Sequence, residues 1–189
     1  NEAFMSSERM VRLISDFLNV SRLQTGKFTL DRHPTDLAKA VREEIEALQP
    51  NAEGRKLKFK VTAPKTTPLV KVDEGKIRQV VMNFADNALY YSPEVSTIYV
   101  DLKKEGDDLV FKVKDSGIGV PDGEKTKLFQ KFFRAENARR QRPDGTGIGL
   151  FLAKKVIDAH KGHVIFESKE KKGSTFGFRL SITESNKNA

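Results

Sequence analysis

Asp115-Ser116-Gly117-Ile118-Gly119, answered downstream by Gly145-Thr146-Gly147-Ile148-Gly149-Leu150, is the part of the chain that decides its fold. Leu109-Val110-Phe111-Lys112-Val113 alternates ahead of the first run and predicts a strand ending at Asp115. Apolar residues at 148, 152, 153, 156 and 157 predict a helix from Ile148 to His160 after the second. One acidic residue thus sits at a strand end before a flexible loop, and a second glycine loop opens a helix N-terminus. Glycines let a backbone come close to a ligand, and a helix N-terminus offers unpaired N–H groups to an anion. The pair predicts a nucleotide site, with an acceptor for the base at one loop and donors for the phosphates at the other.

Upstream of that frame, Asp73 is placed to cap a helix running to about Tyr91. Its inward stripe is Ile77, Val80, Val81, Phe84, Ala88 and Tyr91; Asn87 falls inside the stripe, with Asn83 and Tyr90 on its edge. An inward Asn is costly unless hydrogen-bonded. Two of them one turn apart are either satisfied core amides or a polar seam that holds a ligand or a hard cation through amide oxygens; Mg²⁺ keeps several waters and needs few protein oxygens. Between the two glycine runs, Val120-Pro121 starts a short helical piece, Leu128 to Arg134 carries three Phe, and Ala135 to Asp144 is polar and aperiodic. That last segment reads as a mobile lid.

Further out, Ser96 to Lys103 and Leu109 to Lys114 predict a hairpin across Glu105-Gly106-Asp107-Asp108. Val164-Ile165-Phe166 and Thr175 to Leu180 predict another, and the chain is expected to fray from Ser185 to Ala189. On the N-terminal side, short strands are expected at Phe28-Thr29-Leu30, at Leu57, Phe59 and Val61, and at Leu69 to Val72. Asp36 caps a helix to about Gln49, and Pro50 to Gly54 is expected as a loop. Residues 2–25 read as one long helix with two adjacent apolar stripes, closed by Gly26. Such a helix is either part of this domain's core or half of a helical dimerisation hairpin, and the double stripe favours the hairpin. The fold class is α+β: a two-layer sandwich in which three helices cover one face of a mixed, mostly antiparallel sheet, preceded by a long helix. The predicted division is residues 1–27 as the end of a helical domain, 28–184 as the ligand-binding domain, and 185–189 as a frayed end.

Composition narrows the function classes. The 189 residues are 38% hydrophobic and 32% charged, with a formal net charge of +8 and no Cys. There is no disulfide framework, Cys nucleophile or Cys metal site. No apolar run is long enough to span a membrane and no signal peptide opens the chain, which makes the cytoplasm the expected place of this portion. The positive charge is spread out and not interleaved with aromatics, against nucleic acid as a partner. A dinucleotide fingerprint fails because Leu150 stands in place of the third glycine, and Lys172-Gly173-Ser174 reverses the P-loop order. The His-Arg-Asp loop of protein kinases is absent, and His33, His160 and His163 have no metal-ligand spacing. His160 reads as a surface or dipole-compensating residue.

Asn83-Phe84-Ala85-Asp86-Asn87, then Asp115-Ser116-Gly117-Ile118-Gly119, then Phe129-Gln130-Lys131-Phe132-Phe133-Arg134, then Gly145-Thr146-Gly147-Ile148-Gly149-Leu150 resemble, in order, the N, G1, F and G2 boxes of sensor histidine kinases. These belong to the GHKL ATPases with the Bergerat fold. The resemblance implies that the chain binds ATP with Mg²⁺ and hands the γ-phosphoryl to a His, and from there to a response-regulator receiver domain. Asp115 would accept from the adenine amino group, with Gly117, Ile118 and Gly119 close to the base. Asn87 would ligate Mg²⁺, Asn83 would support the phosphate side, and Arg134, with Arg139 or Arg140, would meet the γ-phosphate. Phe132 and its neighbours would anchor the lid. The run Gly145, Thr146, Gly147, Ile148, Gly149 and Leu150 would hold the phosphates, and Gly173-Ser174-Thr175 resembles a third glycine box. Residues 2–31 are similar to the second helix of the dimerisation and phosphotransfer hairpin and its link, which implies a homodimer.

Three departures stand out. Tyr90 replaces a Lys that many relatives carry near the phosphates, Lys171 replaces a frequent Gly, and no His here is followed by an acidic residue as a phosphoacceptor is. The acceptor helix is therefore expected ahead of Asn1, in a parent protein that carries any membrane anchor, and this portion alone is not expected to autophosphorylate. The alternatives are a catalytically degenerate ATP-binding scaffold, which Tyr90 favours, and another GHKL ATPase, which the N-terminal helix disfavours.

Overall fold

The computed structural model describes residues 28–187. The long helix expected over residues 2–25, and with it the proposed helical domain of residues 1–27, lies outside the described residues. The described residues form seven strands: β1 His33–Thr35, β2 Lys58–Thr62, β3 Val70–Val72, β4 Thr97–Glu105, β5 Asp108–Lys114, β6 His163–Ser168 and β7 Ser174–Ser181. The helices are α1 Leu37–Gly54, α2 Glu74–Tyr91, α3 Glu136–Gln141, α4 Gly149–Ala159 and α5 Ile182–Lys187, with a 3₁₀ turn over Asp122–Lys127. A five-stranded sheet runs β2-β4-β5-β7-β6; β2 and β4 are parallel and the other pairs antiparallel. β1 and β3 form a separate antiparallel pair.

Alternation along the strands buries one sheet face. Ile98, Val100 and Leu102 of β4, Leu109, Phe111 and Val113 of β5, and Phe176, Phe178 and Leu180 of β7 point into the core, whereas Tyr99 and Lys114 stay exposed. Onto that face pack α1, α2 and α4, the three-helix layer of a Bergerat-type sandwich. α2 delivers most of the stripe expected of it: Ile77, Val80, Val81, Phe84 and Ala88 are buried, and Tyr91 is half-buried at the cavity. Phe84 of α2 and Phe176 of β7, with ring centroids 5.7 Å apart, join the two layers, and Phe111 and Phe178, 5.0 Å apart, pair across neighbouring strands of the sheet. Asp36 caps α1 by accepting from the Ala38 N–H, and Asp73 caps α2 by accepting from the Lys76 N–H at 3.0 Å.

Four local expectations are corrected. Phe28-Thr29-Leu30 forms no strand; the strand is His33–Thr35, because β3 offers its edge to that stretch, and Phe28 instead packs on the core. Pro50 to Gly54 is the last turn of α1 rather than a loop. Pro50 is exposed and removes only one N–H, while fully buried Ala52 holds the turn and its carbonyl accepts from the Arg55 and Leu57 N–H groups. The lid contains the short helix α3, held by contacts described below rather than by an apolar stripe. The tail is helical to Lys187, with Ser185 buried and the Ile182 N–H donating to the Asp107 carbonyl at 2.8 Å.

His160 is also corrected: it is 4% exposed, not a surface residue. The Asp73 N–H donates to its Nε2 at 3.0 Å, so the proton resides on Nδ1, which donates to the Val156 carbonyl at 2.7 Å. This neutral ring ties the end of α4 to the start of α2. Burial pushes its pKa below the ordinary 6.5. At pH above 6.5 both folded and unfolded rings are neutral and the contribution is intact. As pH falls below 6.5 the unfolded chain takes up a proton that the folded ring refuses, so stability is lost on acidification. We expect His160→Gln to flatten the fall in urea-unfolding free energy between pH 7 and pH 5, a slope bounded at about 1.4 kcal/mol per pH unit. An unchanged slope would rule this role out.

Candidate functional site

A cavity of about 940 Å³ opens between α2, the end of α1, the loop after β5, the lid and the start of α4. Asp115 forms part of its wall and is 5% exposed. It follows β5, and its N–H donates to the Ser174 carbonyl at 2.9 Å, which continues the β5–β7 ladder by one residue. Its Oδ1 accepts from the Gly117 N–H at 2.7 Å and from the Ser174 N–H at 3.2 Å. Burial pushes its pKa up, and those backbone donors oppose the rise. A desolvated carboxylate, fixed by two backbone donors on one oxygen, presents an acceptor of defined direction to a ligand donor.

Gly117 and Gly119 serve a purpose that their sequence did not disclose. A Cβ on Gly117 would lie 2.4 Å from the Tyr91 carbonyl oxygen, and one on Gly119, which has φ +63°, would lie 2.1 Å from that of Lys169. Close approach here is to the protein's own backbone. The Lys171 N–H donates to the Ile118 carbonyl at 2.7 Å and the Val120 N–H to Ser168 Oγ at 2.9 Å, so the loop is pinned on the β6–β7 turn. Lys171 has φ +60°, a conformation natural to glycine at the position where the resemblance led one to expect Gly.

On α2, Asn83 Nδ2 donates to the Gly149 carbonyl at 3.3 Å, which joins α2 to the first turn of α4. Asn83, Asn87 and Tyr90 all line the cavity, as do Ile118, Gly119, Gly145, Thr146, Gly147, Gly149 and Leu150. Gly117, Phe132, Arg139, Arg140, Ile148 and Thr175 do not. Gly117 lies beneath Tyr91, and Ile148 is buried against Leu152 and Phe151. Thr175 pairs with Lys114 in the sheet, and its neighbour Ser174 meets the cavity instead. Phe132 is 58% exposed beside Lys131. Arg139 Nε donates to the Arg134 carbonyl and Arg140 pairs with Glu136, both at the surface.

Arg134 reaches the cavity wall but not as a free cation. Nη1 donates to the Pro143 and Gly145 carbonyls at 3.2 and 3.0 Å, and Nη2 to the Ala138 and Arg142 carbonyls. Carbonyl oxygens accept from both terminal nitrogens, so Arg134 holds the lid together. Asn137 ties the lid to the first glycine loop, its Nδ2 donating to the Gly119 carbonyl at 2.9 Å.

The cavity also collects Arg55, Asp86, Asn137, Arg142 and Asp144, which sequence reasoning missed. Arg142 packs its guanidinium 4.4 Å from the Tyr90 ring centroid and Arg55 packs at 5.5 Å. No periodicity marks these residues; only the tertiary meeting of α1, α2 and the lid assembles them. The described residues contain no cluster of three or more His, Cys, Asp or Glu that could hold a metal. Among the described residues no helix is long and apolar enough to cross a membrane.

Residues 72–184 match the family model described as histidine kinase-, DNA gyrase B-, and HSP90-like ATPase. Over 173 residues the chain is 32% identical to the circadian input-output histidine kinase CikA of Synechococcus elongatus, covering 90% of this chain and 23% of that protein. Over 180 residues it is 34% identical to the sensor histidine kinase WalK of Bacillus subtilis, covering 94% of this chain and 29% of that protein. The chain thus spans about a quarter of the length of these relatives. Among solved structures it resembles full-length ShkA in complex with AMPPNP, with a TM-score of 0.77 and 26% identity over 93% of this chain and 36% of that one. It also resembles the nucleotide-free catalytic domain of histidine kinase ThkA, with a TM-score of 0.70 and 25% identity over 80% of this chain and 96% of that one.

Proposed function

The chain belongs to the histidine kinase-, DNA gyrase B- and HSP90-like ATPase family, as a catalytic ATP-binding domain of the sensor histidine kinase type, and from that premise we propose that its cavity binds ATP and delivers the γ-phosphoryl group to a histidine on a separate helix. The observation that carries this reading is Asp115, a buried carboxylate fixed through Oδ1 in the wall of a cavity that α2, the lid, the second glycine run and the start of α4 also line. Its direction suits the amino group of adenine. The triphosphate then extends toward Gly147 and Gly149, where the opening turn of α4 supplies N–H donors.

In the transfer, a lone pair on the acceptor imidazole attacks the γ-phosphorus in line as the bond to the β–γ bridging oxygen breaks, and ADP leaves. The chain's work is to position and to stabilise charge. Asn87 would hold Mg²⁺, a role supported by its lining the cavity one turn from Asn83 and by the few protein oxygens that a cation keeping its waters needs. When bound, Mg²⁺ neutralises phosphate charge. The acceptor helix, a homodimer formed through its hairpin, and a receiver domain as next acceptor complete the proposed reaction.

The test is transfer from γ-labelled ATP to a supplied acceptor hairpin of a sensor kinase. We expect labelling of the hairpin, none of this chain by itself, and a fall of about 100-fold or more for Asn87→Ala, the scale at which one transition-state electrostatic contact is lost. ATP bound but never transferred would replace the kinase reading with a nucleotide-binding scaffold.

A further inference from the structure

Among the described residues, three arginines and no lysine line the cavity: Arg55, Arg134 and Arg142. Arg134 donates to lid carbonyls through both terminal nitrogens. That leaves Arg55 and Arg142, both on the ring of Tyr90. A cation within about 6 Å of an aromatic centroid is attracted to its face. Tyr90 is itself clipped to the lid, its hydroxyl donating to the Gln141 carbonyl and its own carbonyl accepting from Gln141 Nε2 at 3.2 Å. Arg142, the next residue, is thereby set over the ring.

Arg142 is incompletely satisfied where it stands. Its Nη1 meets Asp86 Oδ2 at a loose 3.5 Å, the Asp144 carboxylate is 4.0 Å from its Nε, and that Nε is buried with no hydrogen-bond partner. A buried donor left unpaired is costly, and a guanidinium is the side chain best matched to phosphate oxygens. Arg55 is more committed, since its Nη1 donates to the Leu89 carbonyl.

We propose that Arg142, carried on the Tyr90 ring and supported by Arg55, is the cation that binds the polyphosphate tail of the nucleotide. The aromatic ring at position 90 then serves as a platform that brings an arginine into the cavity. This inference rests on the nucleotide reading above and adds the residue that distinguishes ATP from nucleotides with shorter tails.

Calorimetry with ATP and with AMP, in excess Mg²⁺, tests it on the wild-type chain, Arg142→Gln, Arg142→Lys and Tyr90→Leu. Arg142→Gln is expected to weaken ATP by about 10- to 100-fold, the range for one hydrogen-bonded charged contact, and AMP by less than about 3-fold. Arg142→Lys is expected to recover part of the loss, and Tyr90→Leu to lower the ATP-over-AMP preference in the same direction. If Arg142→Gln misfolds, the preference of Tyr90→Leu decides. Equal losses on ATP and AMP would make Arg142 a structural part of the lid and overturn the proposal, as would unchanged ATP binding. A wild-type chain that binds neither nucleotide would overturn both this proposal and the nucleotide site itself.

Discussion

Asp115→Asn is expected to weaken ATP binding by about 100-fold while the domain stays folded. The substitution keeps Oδ1, so the Gly117 and Ser174 N–H groups retain their acceptor and the loop keeps its shape. What changes is the other half of the group: an acceptor oxygen becomes an amide donor that meets the adenine amino donor. A hydrogen bond to a charged group contributes about 1.5–3 kcal/mol, and an opposed pair of buried donors adds to the loss. Stability should move the other way. Burial raises the folded pKa of Asp115, so its favourable contribution belongs to pH below its unfolded value and is lost as pH rises through the folded one. At neutral pH the ionised side chain is a cost that Asn removes. Calorimetric titration together with a thermal melt checks both halves. Retained affinity would sink the adenine assignment, and a large drop in Tm would mean the side chain is needed chiefly for folding.

Gly119→Ala is expected to destabilise the fold by about 3 kcal/mol or more and to abolish nucleotide binding with it. The new methyl would lie 2.1 Å from the Lys169 carbonyl oxygen at a φ of +63°, a region that costs an L-residue roughly 1–2 kcal/mol even in open space. Relief requires the β6–β7 turn to move, and that turn is held to the loop by the bonds from Lys171 to Ile118 and from Val120 to Ser168. For a domain of this size the change corresponds to a fall in Tm of roughly 10 °C. A loss below about 1 kcal/mol in urea unfolding would show that the loop has more freedom than these contacts allow.

What was legible in the chain was whatever rests on local periodicity and on capping chemistry. The alternation before Asp115, the stripe of α2 and the caps at Asp36 and Asp73 each follow from residues a few positions apart. The two glycine runs placed Asp115 and the start of α4 in one cavity. The lid-bracing contacts of Arg134 were not legible, because a guanidinium next to a site looks the same in sequence whether or not four of its neighbours' carbonyls accept from it. The surface positions of Arg139 and Arg140 were hidden too, because α3 has no apolar stripe to announce it. Arg142 and Arg55 were invisible because their places depend on the ring of Tyr90, which looked like a deficit. His160 looked like an exposed residue at a helix end because its partner, the Asp73 N–H, is 87 positions away.

The Arg134 guanidinium also bears on the thermodynamics of nucleotide exchange. Its contacts run to Ala138, Arg142, Pro143 and Gly145, so the segment's two ends converge on one side chain. Ordering a free stretch of backbone costs about 1–2 kcal/mol per residue. A segment already closed on itself has met most of that cost before any ligand arrives. Its motion is then a swing of one preassembled body about Phe132 and Gly147, which are joined by the Phe132 N–H to Gly147 carbonyl bond at 3.1 Å and both sit at positive φ. For such a body we expect a small entropic penalty on binding, and a release rate governed by the hinge and by the bonds from Asn137 to Gly119 and from Gln141 to Tyr90 rather than by the melting of ten residues.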